Sequence, residues 1–445
     1  MAYNHAMRIS NSKLQTPKIR RRILGFAILW IAASTACGAA PSALTPTLEG
    51  ATATPTSVLA NSTPVPATTP DAAAQQTLRL WLPPQFAPSA DTPGGKVMLA
   101  QLAAFEEAQG WRVDVRVKKV AGQGGLIDSL HSALQAAPSI APDVIALDTS
   151  MLSAAEGDIQ PLPQFAAGDV VDFYPFALQA ARVGDALIAL PFAADAIGMA
   201  YSTVAYPAPP STWSDFAPES GPVWLPLNDP SALITLQQYI ALGGSLTDSA
   251  GQPALDAARL AQVLSDYQAL QAAGLLPAAS FETASIDDTW VTYRESRASA
   301  ATAFFGSYLL DRRRVAVTGF ALIPTHNGAR STFARQWNYA LVTADPARQV
   351  VALDLMRWLT EPDNLGVWTF ASAVLPTRSQ ALSEWRETSL ASIADQLLNA
   401  AQPEPPLSVT AALGPPITAA VQAVFNGQAS PEAAADSAAA AVTGK

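Results

Sequence analysis

At 445 residues, 49% of them apolar, the chain exceeds a single typical domain and can fill more than one hydrophobic core, so two lobes are the natural expectation. Its formal charge is −10, and the first 36 residues carry Arg8, Lys13, Lys18, Arg20, Arg21 and Arg22 without any acid. The remainder holds 20 basic against 36 acidic residues, a net −16, which argues against a nucleic-acid partner because phosphate recognition needs a basic footprint.

The front of the chain reads as an address. Lys18 to Arg22 precede an apolar run over residues 23–33, about 11 residues, the charged and hydrophobic parts of a secretory signal and too short to span a bilayer comfortably. The run ends in Ser34-Thr35-Ala36-Cys37-Gly38, which resembles the lipobox of bacterial lipoproteins with Cys37 as the lipidated residue; Ser34 stands where that pattern prefers Leu. As the chain's one cysteine, Cys37 has no internal disulfide partner, and its alternative is an incidental thiol in a cleaved leader. From residue 38 to 76 the chain is almost wholly Ala, Thr, Pro and Ser, a composition that cannot offset the entropy of ordering. The expected organisation is a lipoprotein signal peptide over 1–36, a disordered tether over 37–76 and a folded part over 77–445.

Within the folded part, Thr77 to Leu82 predicts a strand stopped by Pro83-Pro84, and Val97, Leu99, Leu102 and Phe105 recur at helical spacing. A second strand over 111–117, a helix carrying Leu126, Ile127, Leu130 and Leu134, and a short apolar strand over 142–147 follow. Strand, helix, strand, helix, strand is the pattern of a doubly wound α/β sheet, whose ligands bind beyond the carboxyl ends of strands. Asp148 and Ser150 lie at such an end. They suit hydrogen bonds to hydroxyl groups, and equally suit the N-cap of the next helix.

Next comes a passage whose β-rich pieces, over 186–188 and 196–201, flank Pro191. Asp195 sits there among Phe192, Ala193, Ala194, Ala196 and Ile197, where a lone buried charge is costly. It should face a partner, water or a ligand, with a solvated turn as the alternative. Residues 223–227 read as a strand, and Asn228-Asp229-Pro230 as the turn after it. The stretch from Asp256 to Ala273 is an amphipathic core helix, and Asp345-Pro346 caps another. The adjacent acids Asp287 and Asp288 are expected in a strand, where they would point to opposite faces and could not form a glycosidase pair.

The order of these segments carries a resemblance. Gly184 to Ser202 followed by Pro210-Ser211-Thr212-Trp213, the Gly306-Ser307-Tyr308 segment, the strand Gln336-Trp337-Asn338-Tyr339, the Pro376-Thr377-Arg378 segment and the ending around Val421 and Val424 together resemble family 1 extracellular solute-binding proteins, maltose-binding-protein-like receptors that feed ABC importers. The resemblance implies a two-lobed periplasmic-binding-protein-like fold of type II, each lobe a mixed sheet flanked by helices. Lobe 1 would span about 77–194 plus 339–388 and lobe 2 about 198–335 plus 389–445. It also implies that the chain crosses between lobes near Asp195 and again near Trp337, beside the ligand.

Asp195 and Asp229 would then be sugar-contacting acids, Tyr308 an aromatic stacked on a sugar ring, and Arg378 a brace or an anion contact. For Asp229 turn formation is the alternative, and for Tyr308 ordinary packing. Leu147 and Gly414-Pro415-Pro416 depart from maltose-type relatives, which have cleft tryptophans there, so a smaller site or another ligand is implied. The expected protein is a monomeric receptor on the outer face of the cytoplasmic membrane, anchored through Cys37, without cofactor or metal. It would bind a small polar ligand, a sugar, oligosaccharide or polyol before a cationic amine, and deliver it to importer permease subunits. The alternatives are a secreted glycoside-acting enzyme and a surface lipoprotein without transport function. No Gly-x-Ser-x-Gly elbow, P-loop or dinucleotide fingerprint supports the enzyme, and a histidine–cysteine metal cluster is excluded by the three histidines and single cysteine.

Overall fold

The computed structural model describes residues 76–444, apart from 164 and 166. The expected leader, Cys37 and the tether as far as residue 75 therefore lie outside the described residues. Strand β1 (Thr77–Leu82) buries Leu78, Leu80 and Leu82 completely. It takes β2 (Arg112–Val117) on one side and β3 (Val144–Asp148) on the other, both parallel to it. The helices Pro93–Gln109 and Leu126–Ala136 make the connections, as the apolar spacing predicts.

A short hairpin of β4 (Arg182–Val183) and β5 (Ala186–Leu187) leads into β6 (Leu190–Ser202). Then follow β7 (Val223–Trp224), β8 (Ala300–Phe304), β9 (Thr318–Ala321), β10 (Thr332–Leu341) and β11 (Ala401–Pro403). The large sheet runs β2-β1-β3-β10-β6-β8-β7, with β11 paired to β10 and β9 paired to β6.

Two strands belong to both lobes. Residues 190–196 of β6 pair antiparallel with β10, whereas 197–202 pair with β8 and β9. Strand β10 carries β11 at its start and β3 at its end. One core gathers Leu80, Phe105, Phe192, Tyr339 and Met356 around the first sheet half, and another gathers Ile197, Leu236, Leu264 and Ile417 around the second. This is the two-lobed α/β architecture the resemblance implies.

Two local expectations are corrected. Pro191 does not interrupt the passage: β6 is one 13-residue strand that contains it. The missing N–H is tolerated because Pro191 sits near the strand's start, opposite Asn338, where the β10 register shifts between Trp337 and Asn338. Asp287 and Asp288 lie in the first turn of the helix Ile286–Arg294, where Ser285 caps the backbone N–H of Asp288; acids there favour the helix N-terminus.

The helix Leu407–Phe425 is long and apolar enough to cross a membrane, but it packs Leu413, Ile417 and Val421 into the second core. A Cβ on its Gly414 would meet the Pro230 carbonyl at 2.0 Å, so glycine permits the helix to lie against the Asp229 loop.

After the return crossing, Arg348 locks the next helix to the sheet. Its Nε donates to Asp143 Oδ1 at 2.7 Å and its Nη2 to the Thr77 carbonyl at 2.7 Å, while Asp143 Oδ2 accepts the Arg79 N–H at 2.7 Å. Asp143 is buried. Replacing Arg348→Ala would leave that carboxylate without its cation, and denaturant unfolding should show a loss of about 3 kcal/mol.

Candidate ligand-binding cleft

The antiparallel pairing of β6 and β10 brings Asp195 opposite Arg335 and Trp337 opposite Ala193. Asp195 stands one residue before the point at which β6 changes partners. Its Oδ1 accepts the Gly306 N–H at 2.9 Å, from the start of the helix Phe305–Asp311, and its Oδ2 accepts from Arg335 Nη2 at 3.4 Å. A Cβ on Gly306 would lie 2.7 Å from the Ala373 carbonyl and 3.0 Å from Asp195 Oδ2, so only glycine lets this backbone donor reach the carboxylate. Burial pushes the Asp195 carboxyl above its ordinary value, against the lowering pull of Arg335 and the Gly306 N–H. Arg335 also lies over the Phe304 ring, 3.8 Å from its centroid.

Asp148 closes β3 and is the register partner of Trp337. Its Oδ1 accepts both the N–H and the hydroxyl of Ser150, at 2.9 and 2.7 Å, so the pair caps the helix Thr149–Leu152. Trp337 is half-buried, edge-on to Phe86 with centroids 5.4 Å apart. Asp229 caps the helix Leu233–Ala241 by accepting the Ser231 and Leu233 N–H groups at 2.9 and 3.0 Å.

Sequence reasoning missed a further acid. Glu404 follows β11, tied by its backbone N–H to the Ala334 carbonyl at 3.1 Å. It lines a cleft of about 800 Å³ with Thr149 and Gln179 on one side and Ile240, Ser245, Leu246 and Ser408 on the other. Burial raises the Glu404 carboxyl, Arg335 opposes this, and the charges of Asp148, Asp195 and Asp229 raise it further. The three predicted acids are therefore all within electrostatic reach of one side chain. Arg335 was missed as well, although it stands two residues before Trp337 and on the same strand. For Glu404 the signal was a single acid between Pro403 and Pro405 on the approach to an apolar helix.

None of the seven predicted residues, Asp148, Ser150, Asp195, Asp229, Tyr308, Trp337 and Arg378, is among those lining the cleft, and Tyr308 and Arg378 are engaged elsewhere. Tyr308 is buried among Phe305, Phe320 and Trp290, its hydroxyl donating to the Thr318 carbonyl at 3.3 Å. Arg378 forks onto Asp172, with Nε 2.9 Å and Nη2 2.6 Å from Oδ1, and donates from Nη1 to the Thr360 carbonyl at 3.1 Å.

Residues 100–391 match the family of bacterial extracellular solute-binding proteins. The chain belongs to that family. In fold the solute-binding protein is similar to the cyclic α-maltosyl-1,6-maltose binding protein from Arthrobacter globiformis, with 17% identity, TM-score 0.65, and 83% of this chain and 98% of that one covered. It is also similar to the maltotriose binding protein of Thermus thermophilus, with 16% identity, TM-score 0.56, and 82% and 99% covered. A third likeness is to an ABC transporter solute-binding protein from Thermotoga lettingae bound with α-D-tagatose, with 20% identity, TM-score 0.60, and 83% and 99% covered. No curated protein matches the chain in sequence.

The electrostatics of the cleft give a stability test. A carboxyl raised in the folded state contributes stability below its unfolded value, here the ordinary 4.5, and loses it as pH rises through the folded value. Glu404→Gln should therefore raise the thermal midpoint at about pH 7, and the gain should vanish as the pH falls below about 4.5.

Proposed function

We propose that this solute-binding protein is an extracytoplasmic receptor that captures a sugar or oligosaccharide between its lobes and hands it to the membrane subunits of an ABC importer. The observation that carries this reading is the cleft of about 800 Å³, lined by Thr149, Gln179, Phe333, Glu404 and Ser408, in a fold where two strands thread both halves of the sheet. Carboxylates and a guanidinium match the hydroxyl donors and acceptors of a sugar, and the exposed part of Trp337 offers a flat apolar surface for a ring face. The saccharide-binding neighbours support the choice of ligand, at identities that speak for fold alone.

Asp148, Ser150, Asp195, Asp229 and Trp337 are proposed contacts, with Arg335 and Glu404 added. Tyr308 acts from beneath the wall and Arg378 as a brace. Lobe 1 is the β1, β2 and β3 half with the segment after β10, and lobe 2 the β7, β8 and β9 half with the closing helices; the boundaries expected from sequence remain our proposal for where they divide. The protein is a receptor and not an enzyme, works as a monomer, and is held to the outer face of the cytoplasmic membrane by lipidated Cys37 and the tether that follows. Closure of the lobes over the ligand is the switch the importer reads.

Isothermal titration with maltose, maltotriose, cellotriose and tagatose tests the reading. At least one saccharide should bind one to one and be recovered uncleaved, and Trp337→Ala should weaken it about tenfold, the loss of one stacking surface. Release of shortened sugar would establish the enzyme instead.

A further inference from the structure

The far end of the β7, β8 and β9 half carries a second groove, of about 760 Å³, that shares no lining residue with the cleft. Strand β6 reaches it at Ser202, the register partner of Thr318, and both line it. Ser202 lies beyond the change of partners at Ala196 by about 20 Å at the rise of a strand, so an occupant there leaves the cleft free.

The walls of this groove run against the charge of the molecule. Residues 37–445 hold 20 basic and 36 acidic residues, yet Arg294, Arg297, Arg312, Arg313 and Arg314 fall in one stretch that contains two acids, Glu295 and Asp311. Arg294, Arg297 and Arg314 line the groove with one acid, Glu219. Asp311 lies beneath them, its side chain 13% exposed and shared: Oδ2 accepts from Arg294 Nη1 at 2.8 Å and Oδ1 from Arg314 Nη1 at 3.3 Å. One sunken carboxylate between two guanidiniums leaves positive charge at the surface, where the Arg314 side chain is 82% exposed. Arg297 pairs with Glu295, which is outside the lining. The guanidiniums of Arg294 and Arg297 rest over the Trp290 and Trp224 rings, 6.0 and 5.9 Å from the centroids, which helps to hold them in place. Arg313 is exposed beside them.

The same groove bares two large apolar side chains, Val204 at 77% and Val317 at 58% exposure. Guanidiniums next to bare valines suit a surface that presents phosphate groups above hydrocarbon, whereas a free anion would use the charge and leave the valines in water. The acyl anchor proposed at Cys37 would hold the domain to a bilayer by a tether, so this surface would meet lipid at high effective concentration. Resting on that membrane location, we propose that the groove docks on anionic phospholipid headgroups, with Arg294, Arg297, Arg313 and Arg314 meeting phosphates and Val204 and Val317 entering the headgroup layer. Salt at about 0.1 M limits the reach of a charge to about 10 Å, so the acids of the rest of the molecule do not cancel the contact.

The test is co-sedimentation of the processed chain, residues 37–445 with Cys37→Ser, so that neither leader nor acyl chain holds it to lipid. At about 0.1 M salt, phosphatidylcholine vesicles with about 40% phosphatidylglycerol should carry down about fivefold more protein than phosphatidylcholine alone. The excess should disappear in the Arg313→Glu, Arg314→Glu double variant and at about 0.5 M salt, and fall by about half in Val204→Ser, Val317→Ser. Arg112→Glu, Arg116→Glu, the same change of charge at exposed positions of β2, should keep it, and thermal unfolding confirms that each variant is folded. Equal binding to both vesicles, an excess unchanged in Arg313→Glu, Arg314→Glu, or its loss in the β2 variant would overturn the inference. So would removal of the excess by about 10 mM inorganic phosphate, which would make the groove a site for a free anion. Capture by immobilised poly-glutamate without vesicle binding would overturn it too, in favour of an acidic protein partner. Labelling of the full chain with radioactive palmitate in cells reads the anchor by itself, so the membrane location and the docking fail separately.

Discussion

Everything functional here depends on one pairing: β6 and β10 run antiparallel and hydrogen-bonded while each belongs to both halves of the sheet. Strand β6 changes partners part-way along, between Ala196 and Ile197, from β10 to β8. Residues at that change are fixed by backbone hydrogen bonds and yet border both lobes. Asp195 occupies the place, and its bond to the Gly306 N–H ties the crossover to the first turn of a helix in the second half. Strand alternation leaves Arg335 exposed and Trp337 half-buried against Phe86, while Gln336 and Asn338 turn inward to Ala177 and Leu147.

The second constraint is electrostatic. Asp148, Asp195 and Asp229 each push the Glu404 carboxyl up, and each of the three accepts a backbone N–H at the start of a helix. Asp148 and Asp229 accept backbone N–H groups at helix starts, which is what their alternative readings, a cap and a turn, describe. Glu404 has no such anchor. Burial raises its carboxyl, and Arg335 opposes this.

Much of the fold was legible because apolar periodicity, prolines and caps act over short spans. The first three strands, the Asp256-capped helix and the Pro346–Thr360 helix all follow from such signals. Pro191 misled because its effect depends on what lies opposite, and a register shift in a strand almost 150 residues away is not a local property. Asp287 and Asp288 misled because two adjacent acids carry no period of their own; Ser285 was the informative residue. Of the proposed site, the acids on crossing strands and strand ends were singled out through the order of the segments. Arg335 and Glu404 were not, since their significance lies in the charges that three distant segments bring to them.

The central claim is that the two crossing strands act as a hinge about a ligand. Spin labels at Ser153→Cys and Asp248→Cys in a Cys37→Ser chain would sit on exposed positions near the cleft-lining Thr149 and Thr247. Their separation, measured by pulsed electron resonance with and without a saturating saccharide, reads the lobe-to-lobe distance directly. The account predicts that the bound protein shows a shorter and narrower distance distribution; identical distributions in the two states would contradict it.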